Sequence, residues 1–124
     1  MKKVIVCEKA PGAIGPYSQA IEANGMVFVS GQLPIDAATG NMAVSIEDQT
    51  RQSLENIKYI LDAAGLTMEH IVKTTVFLND MSAFAEMNKV YTTYFDGSYP
   101  ARSAFAVKEL PKGASVEIEC IAVR

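Results

Sequence analysis

The chain is poor in the residues from which metal centres, disulfide frameworks and membrane spans are made. Its only cysteines, Cys7 and Cys120, lie far apart and outside any CxxC pattern. Neither a disulfide framework nor a thiolate metal site is expected from them, and a reducing, cytoplasmic setting fits best. The only histidine is His70. Beside Glu69, between a helix and a strand, it reads as exposed or capping, and a Ser-His-Asp triad would have to use it. With no HExxH and no cysteine cluster, no metal is expected. No stretch approaches the roughly eighteen apolar residues needed to span a bilayer, so a soluble protein with no membrane role is expected. The start Met1-Lys2-Lys3-Val4-Ile5-Val6-Cys7 loses its apolar character at Glu8 and Lys9, too soon for an export signal. Neither G-x-G-x-x-G nor G-x-x-x-x-G-K-[ST] occurs, which excludes the common phosphate-cradling loops and points to a site without a cofactor. Positive charge is scarce too. A net charge of −3, a pI near 5.1 and no local basic patch leave nothing to attract a nucleic acid.

What remains is ordinary globular composition, 49% hydrophobic and 20% charged over 124 residues, which predicts a single domain spanning residues 1–124. Val4-Ile5-Val6 is a short strand-like run, and the prolines and glycines of Ala10 to Pro16 make a loop. Tyr17 to Ala23 and Met26 to Ser30 read as strands joined by a tight Asn24-Gly25 turn. Ser30-Gly31-Gln32-Leu33-Pro34 breaks the second of them. Ser45, with Asp48 three residues on, opens a helix whose Ile46, Leu54, Ile57, Leu61 and Ala64 recur at helical spacing until Gly65. A strand follows over Val72–Leu78, then a second helix from about Ser82 to Phe95 with Phe84, Met87, Val90, Tyr91 and Tyr94 as its apolar stripe. Two further strands, Ala104 to Val107 and Val116 to Val123, complete an α+β pattern. Each strand-helix-strand step implies a parallel pair with a right-handed crossover, which puts both helices on one face of a mixed sheet.

The other face is apolar as well. Met26 and Phe28 alternate with Val27 and Val29, Phe77 with Val76 and Leu78, and Ile121 and Val123 with Ile118 and Cys120. Two helices cover one face only, and a bare apolar sheet face exceeds the patches that monomers expose, so self-association is expected.

Two places could carry chemistry. Arg102, in Pro100-Ala101-Arg102-Ser103, stands at a strand start, where its planar fork could grip a carboxylate; the same position suits a surface ion pair. Glu117 and Glu119 share a strand face with Ile121 and Val123. A partly buried carboxylate there would have a raised pKa and suit acid-base work, whereas an edge strand would use the same charges against aggregation. Ser30-Gly31 lacks the surroundings of a nucleophile elbow.

Five segments, Ala13-Ile14-Gly15-Pro16-Tyr17-Ser18-Gln19, Val29-Ser30-Gly31-Gln32-Leu33-Pro34, Val72–Leu78, Pro100-Ala101-Arg102-Ser103 and Val116-Glu117-Ile118-Glu119, agree in order and spacing with one family. Over nearly its whole length the chain resembles the reactive-intermediate deaminases (Rid, YjgF-type), on the RidA-like branch. That resemblance implies a chorismate-mutase-like fold, a homotrimer with sites in the clefts between subunits, and cofactor-free hydrolysis of 2-imino acids such as 2-iminobutanoate and 2-iminopropanoate to 2-oxo acids and ammonia. It further implies that Arg102 clamps the substrate carboxylate, that Glu117 holds and activates water, and that Tyr17, Ser30, Gly31 and Asn88 line the cleft. Many relatives carry a cysteine two residues after the arginine. Here that position is Ala104, which rules out thiol chemistry there and leaves the backbone to act. The same fold also hosts regulatory carboxylate-binding modules and proteins credited with ribonuclease activity, and the acidic charge and single histidine give the latter little support.

Overall fold

The computed structural model describes residues 1–124. Six strands form one sheet: β1 (Lys3–Ile5), β2 (Ala20–Ala23), β3 (Met26–Gln32), β4 (Ile71–Leu78), β5 (Ala101–Ala106) and β6 (Val116–Val123). Their spatial order is β1-β2-β3-β6-β4-β5. Two helices, α1 (Ile46–Ala63) and α2 (Phe84–Tyr91), cover one face. This is the mixed six-stranded, two-helix arrangement of the chorismate-mutase-like fold.

Local chemistry sets most boundaries. Asn24 and Gly25 both take positive φ, 51° and 73°, as a two-residue hairpin twisted to match its strands requires. Ser45 Oγ accepts from Asp48 N at 3.1 Å to start α1, and Gly65 at φ 77° ends it. Leu54, Ile57, Ile60 and Leu61 of α1 are fully buried within a core cluster that also takes in Val27, Val29, Val76, Leu78 and Ile118 from the sheet. His70 acts as a cap: its Nδ1 lies 3.0 Å from the Thr67 amide.

Four departures from the sequence pattern exceed a single residue. β2 starts at Ala20, because the preceding residues are engaged elsewhere: Gln19 ties its side chain to the Cys7 backbone and the Pro11 carbonyl, and the Ser18 carbonyl accepts from Ser30 Oγ. β3 runs on to Gln32 through an irregularity between Val29 and Gln32, so Ser30 and Gly31 bulge the strand without ending it. β5 begins at Ala101, where its parallel pairing with Lys73 starts. The second helical stretch is α-helical only over Phe84–Tyr91, with single 3-10 turns at Met81–Ala83 and Thr92–Tyr94.

The sequence also did not show where the last strand goes. β6 inserts between β3 and β4, antiparallel to both, so β3 and β4 run the same way without touching. The parallel neighbours are β4 and β5. Away from the helices, the paired residues Val4, Ile21, Phe28 and Ile121 form an apolar row across four strands. Phe77 and Phe105 meet edge to face further along, with ring centroids 5.5 Å apart. No element covers this side, where Phe28, Phe105 and Val123 are 42%, 46% and 39% exposed.

Candidate active site

The register sends the two leading site residues to opposite faces. Ala20, Val29, Cys120, Thr74 and Arg102 are successive partners across the sheet, and Val29, Cys120 and Thr74 are all buried under the helices. Arg102 therefore projects on the helix side, at the end of the row on the edge strand. Glu117 is the partner of Phe77, itself the partner of Phe105, so it projects on the open side. The two positions are three residues apart along the strands and two strands apart across them, roughly 10 Å in each direction. Within one copy of the chain the two side chains leave the sheet in opposite directions.

Around Arg102 the side chains are all neutral. Its Nη1 donates to Asn88 Oδ1 at 2.6 Å, and its guanidinium carbon lies 4.8 Å from the Tyr91 ring centroid and 5.3 Å from that of Phe84. Residues 84, 88 and 91 stand at i, i+4 and i+7 of α2, one helix face. Arg102 belongs to none of the chain's three ion pairs, which join Arg51 to Asp48, Lys89 to Glu47 and Arg124 to Glu22. It faces a cleft of about 470 Å³ lined also by Thr92, Tyr99 and Pro100. A half-buried cation with no carboxylate of its own, opening on a cleft, is suited to receive an anion. Ala104, two residues on, packs on the core beside Val76.

On the open side, Glu117 lies over the bulge of β3. A Cβ added at Gly31 would fall 2.9 Å from Glu117 Oε2, so only glycine leaves that carboxylate where it is. Burial raises the Glu117 pKa above the ordinary glutamate range, and the neighbouring charge of Glu119 adds to the rise. Glu119 itself is exposed. Ser30 shares a concavity of about 510 Å³ with Tyr17, Pro16, Ile21 and Phe28, but its hydroxyl donates to the Ser18 carbonyl at 2.6 Å and anchors the loop that carries Tyr17. The sequence-predicted residues thus fall into two groups: Arg102, Asn88 and Ala104 with the helices, and Glu117, Gly31, Ser30 and Tyr17 away from them. Tyr91, Phe84 and Thr74 were legible only as core residues, and their 84/88/91 spacing with Asn88 was the available signal.

No three His, Cys, Asp or Glu side chains converge in a way that could hold a metal. The Cys120 thiol is pushed up to about 12, first by burial and then by Glu119, which keeps it protonated and unreactive. No helix is long and apolar enough to cross a membrane.

The family described as endoribonuclease L-PSP matches residues 7–124. The chain belongs to this Rid/YjgF family. A RutC family protein of Pyrococcus horikoshii is 54% identical, with 100% of this chain and 99% of the relative aligned. A protein of Salmonella typhimurium named 2-iminobutanoate/2-iminopropanoate deaminase is 50% identical over 100% of this chain and 99% of its own length. The crystal structure of E. coli TdcF with bound serine superposes at a TM-score of 0.95, with 49% identity and 98% of each chain covered. As a Rid protein the chain keeps the family's sheet and helices throughout, which makes the surroundings of Arg102 and Glu117 the place to look for its chemistry.

Proposed function

We propose that this chain, as one domain assembled into a cytoplasmic homotrimer, hydrolyses 2-imino acids such as 2-iminobutanoate and 2-iminopropanoate to 2-oxo acids and ammonia. The observation that carries the reading is the uncompensated Arg102 cation at a cleft, set against a carboxylate of raised pKa on the other face of the same sheet. Arg102 from one copy grips the substrate carboxylate through parallel N–H donors, which fixes the imine carbon. Glu117 from the adjacent copy, where the open faces meet, accepts a hydrogen bond from a water and takes its proton as the oxygen attacks that carbon. Glu117 passes the water's proton to the nitrogen, giving a tetrahedral amino alcohol; as the C–N bond breaks, the hydroxyl proton follows to the nitrogen by way of the same carboxylate, so that the nitrogen leaves as ammonia and the oxygen becomes the ketone. Gly31 leaves room for the carboxylate, while Tyr17, Ser30, Asn88 and the Ala104 backbone shape the cleft. Serine bound to E. coli TdcF has a carboxylate next to a nitrogen-bearing carbon, as a 2-imino acid does.

The test is to generate 2-iminopropanoate with an amino-acid oxidase and measure how far the protein suppresses its trapping by semicarbazide. Arg102→Ala and Glu117→Ala should each abolish suppression. Co-refolded in equal amounts, the two inactive variants should regain roughly a quarter of wild-type activity, because a site built from two copies takes an intact residue from each with one chance in two. No recovery would mean that one copy supplies both groups. No suppression by wild type at any concentration would sink the enzymatic reading and leave a carboxylate-binding module, for which the Arg102 cleft alone suffices.

A further inference from the structure

A guanidinium on a long side chain grips a carboxylate well only if its plane is held before the ligand arrives, since ordering it afterwards costs rotamer entropy. We propose that Tyr91, anchored from behind by Thr74, is the positioning residue that fixes the plane of Arg102; the inference deepens the deaminase reading and rests on it. Three observations converge. The Tyr91 ring lies 4.8 Å from the Arg102 guanidinium carbon, with Phe84 at 5.3 Å and Asn88 Oδ1 holding Nη1 at 2.6 Å. The ring cannot swing away, because Tyr91 is 4% exposed and its hydroxyl meets Thr74 Oγ1 at 2.7 Å inside the core. Thr74 is also the register partner of Arg102 across the β4–β5 pair. The backbone that carries the arginine is therefore paired with the residue that holds the ring against it, and the geometry closes on itself through one hydrogen bond and one stacking contact.

The neutrality of this cradle matters as much as its shape. An aspartate or glutamate in place of Asn88 or Tyr91 would orient the guanidinium equally well but compete with the substrate carboxylate for it. Phenol, amide and phenyl groups orient the cation while leaving its charge for the ligand.

The substitutions that test this separate ring from anchor. Tyr91→Leu removes the stacked ring and should raise the KM for 2-iminopropanoate roughly three- to thirty-fold with kcat little changed, the signature of lost binding rather than lost chemistry. Tyr91→Phe and Thr74→Val keep a ring but cut the anchor, so each should give the same smaller rise, and the double variant should be no worse than either. Independently of turnover, side-chain NMR relaxation on the assembled protein should show the Arg102 Nε–H order parameter falling from wild type through Tyr91→Phe to Tyr91→Leu. An unchanged order parameter in folded Tyr91→Phe, Thr74→Val and Tyr91→Leu overturns the proposal, as does a fall in kcat at constant KM. If wild type turns over no 2-imino acid, the deaminase reading fails, while the relaxation series still decides whether Tyr91 orders the guanidinium.

Discussion

The helix-covered face of the sheet and its open face hold comparable apolar material, yet they treat it differently. Under the helices Val27, Val76, Leu78, Ile118 and Ala122 are closed off from solvent, and all buried side-chain polar groups but the Ser53 hydroxyl are paired: Asn56 donates to the Leu33 and Ile35 carbonyls, and Gln49 bridges Ala43 and Ser115. On the other side, phenylalanines stand among Lys73, Thr75, Glu117 and Glu119 with solvent in front of them. One face folds the chain; the other is the face on which we propose that another copy docks. The site residues sit at the margins of both. Arg102 lies on the edge strand, where the helix cover gives way to a cleft, and Glu117 lies where the bulge of β3 opens the sheet. The composite site proposed above would tie chemistry to assembly, because Arg102 and Glu117 lie on different faces of the sheet.

That contrast breaks first if the open face is not an interface. Phe77→Asp or Ile121→Asp puts a charge in the middle of it and should release monomers in sedimentation velocity, with helix and strand content by circular dichroism retained and semicarbazide suppression lost. An unchanged sedimentation coefficient would put the subunit contacts elsewhere. Next in size is the covered face. Ile57→Ala, at a fully buried position of α1, should cost about 2–5 kcal/mol in denaturant unfolding, the usual range for truncating a packed aliphatic core residue. Phe28→Ala, measured in the Phe77→Asp background, should cost only a fraction of that, since Phe28 is 42% exposed in the single chain. Equal losses at the two positions would erase the distinction between the faces.

Much of this was legible in the residues, and what was not has a physical cause. The Asn24-Gly25 turn, the Ser45 cap and the Gly65 stop are local decisions made by one or two side chains, so they could be read directly. So could the two-sided apolar alternation of Phe28, Phe77 and Ile121, which announced a second apolar face that the helices leave open. The insertion of β6 between β3 and β4 was not readable, because strand order depends on pairings between residues nearly a hundred positions apart. The bulge at Ser30-Gly31 looked like a strand end for the same reason: only the register against Cys120 and Ile118 shows that the strand continues. The roles proposed for Arg102 and Glu117 came from the family resemblance. Their placement on opposite faces required the β4 register, which counts Thr74 to one side and Phe77 to the other. Tyr91 could not be separated from the other core aromatics of α2 until Arg102 was seen beside it.

The smallest effect concerns the charge beside the proposed base. Glu117 must be ionised to take a proton from water, and its pKa is held up first by burial and second by Glu119. Turnover should therefore fall as pH drops through a value above the ordinary glutamate range, and the group is competent only on the alkaline side of that limb. Glu119→Gln removes the second cause and leaves the first. With less negative charge nearby, the Glu117 carboxylate forms at lower pH, so the acid limb of kcat/KM should move down while the plateau keeps its height. Glu119 is exposed in the single chain, so in the monomeric Phe77→Asp background the substitution should leave the unfolding midpoint nearly where it was, which separates an electrostatic shift from a damaged fold. A limb that stays in place in the variant would mean that the titrating group is not Glu117, and the water would then need another acceptor on the open face. A limb that moves upward would be harder to reconcile still, since no cause acting on Glu117 here gains strength when a neighbouring negative charge is taken away.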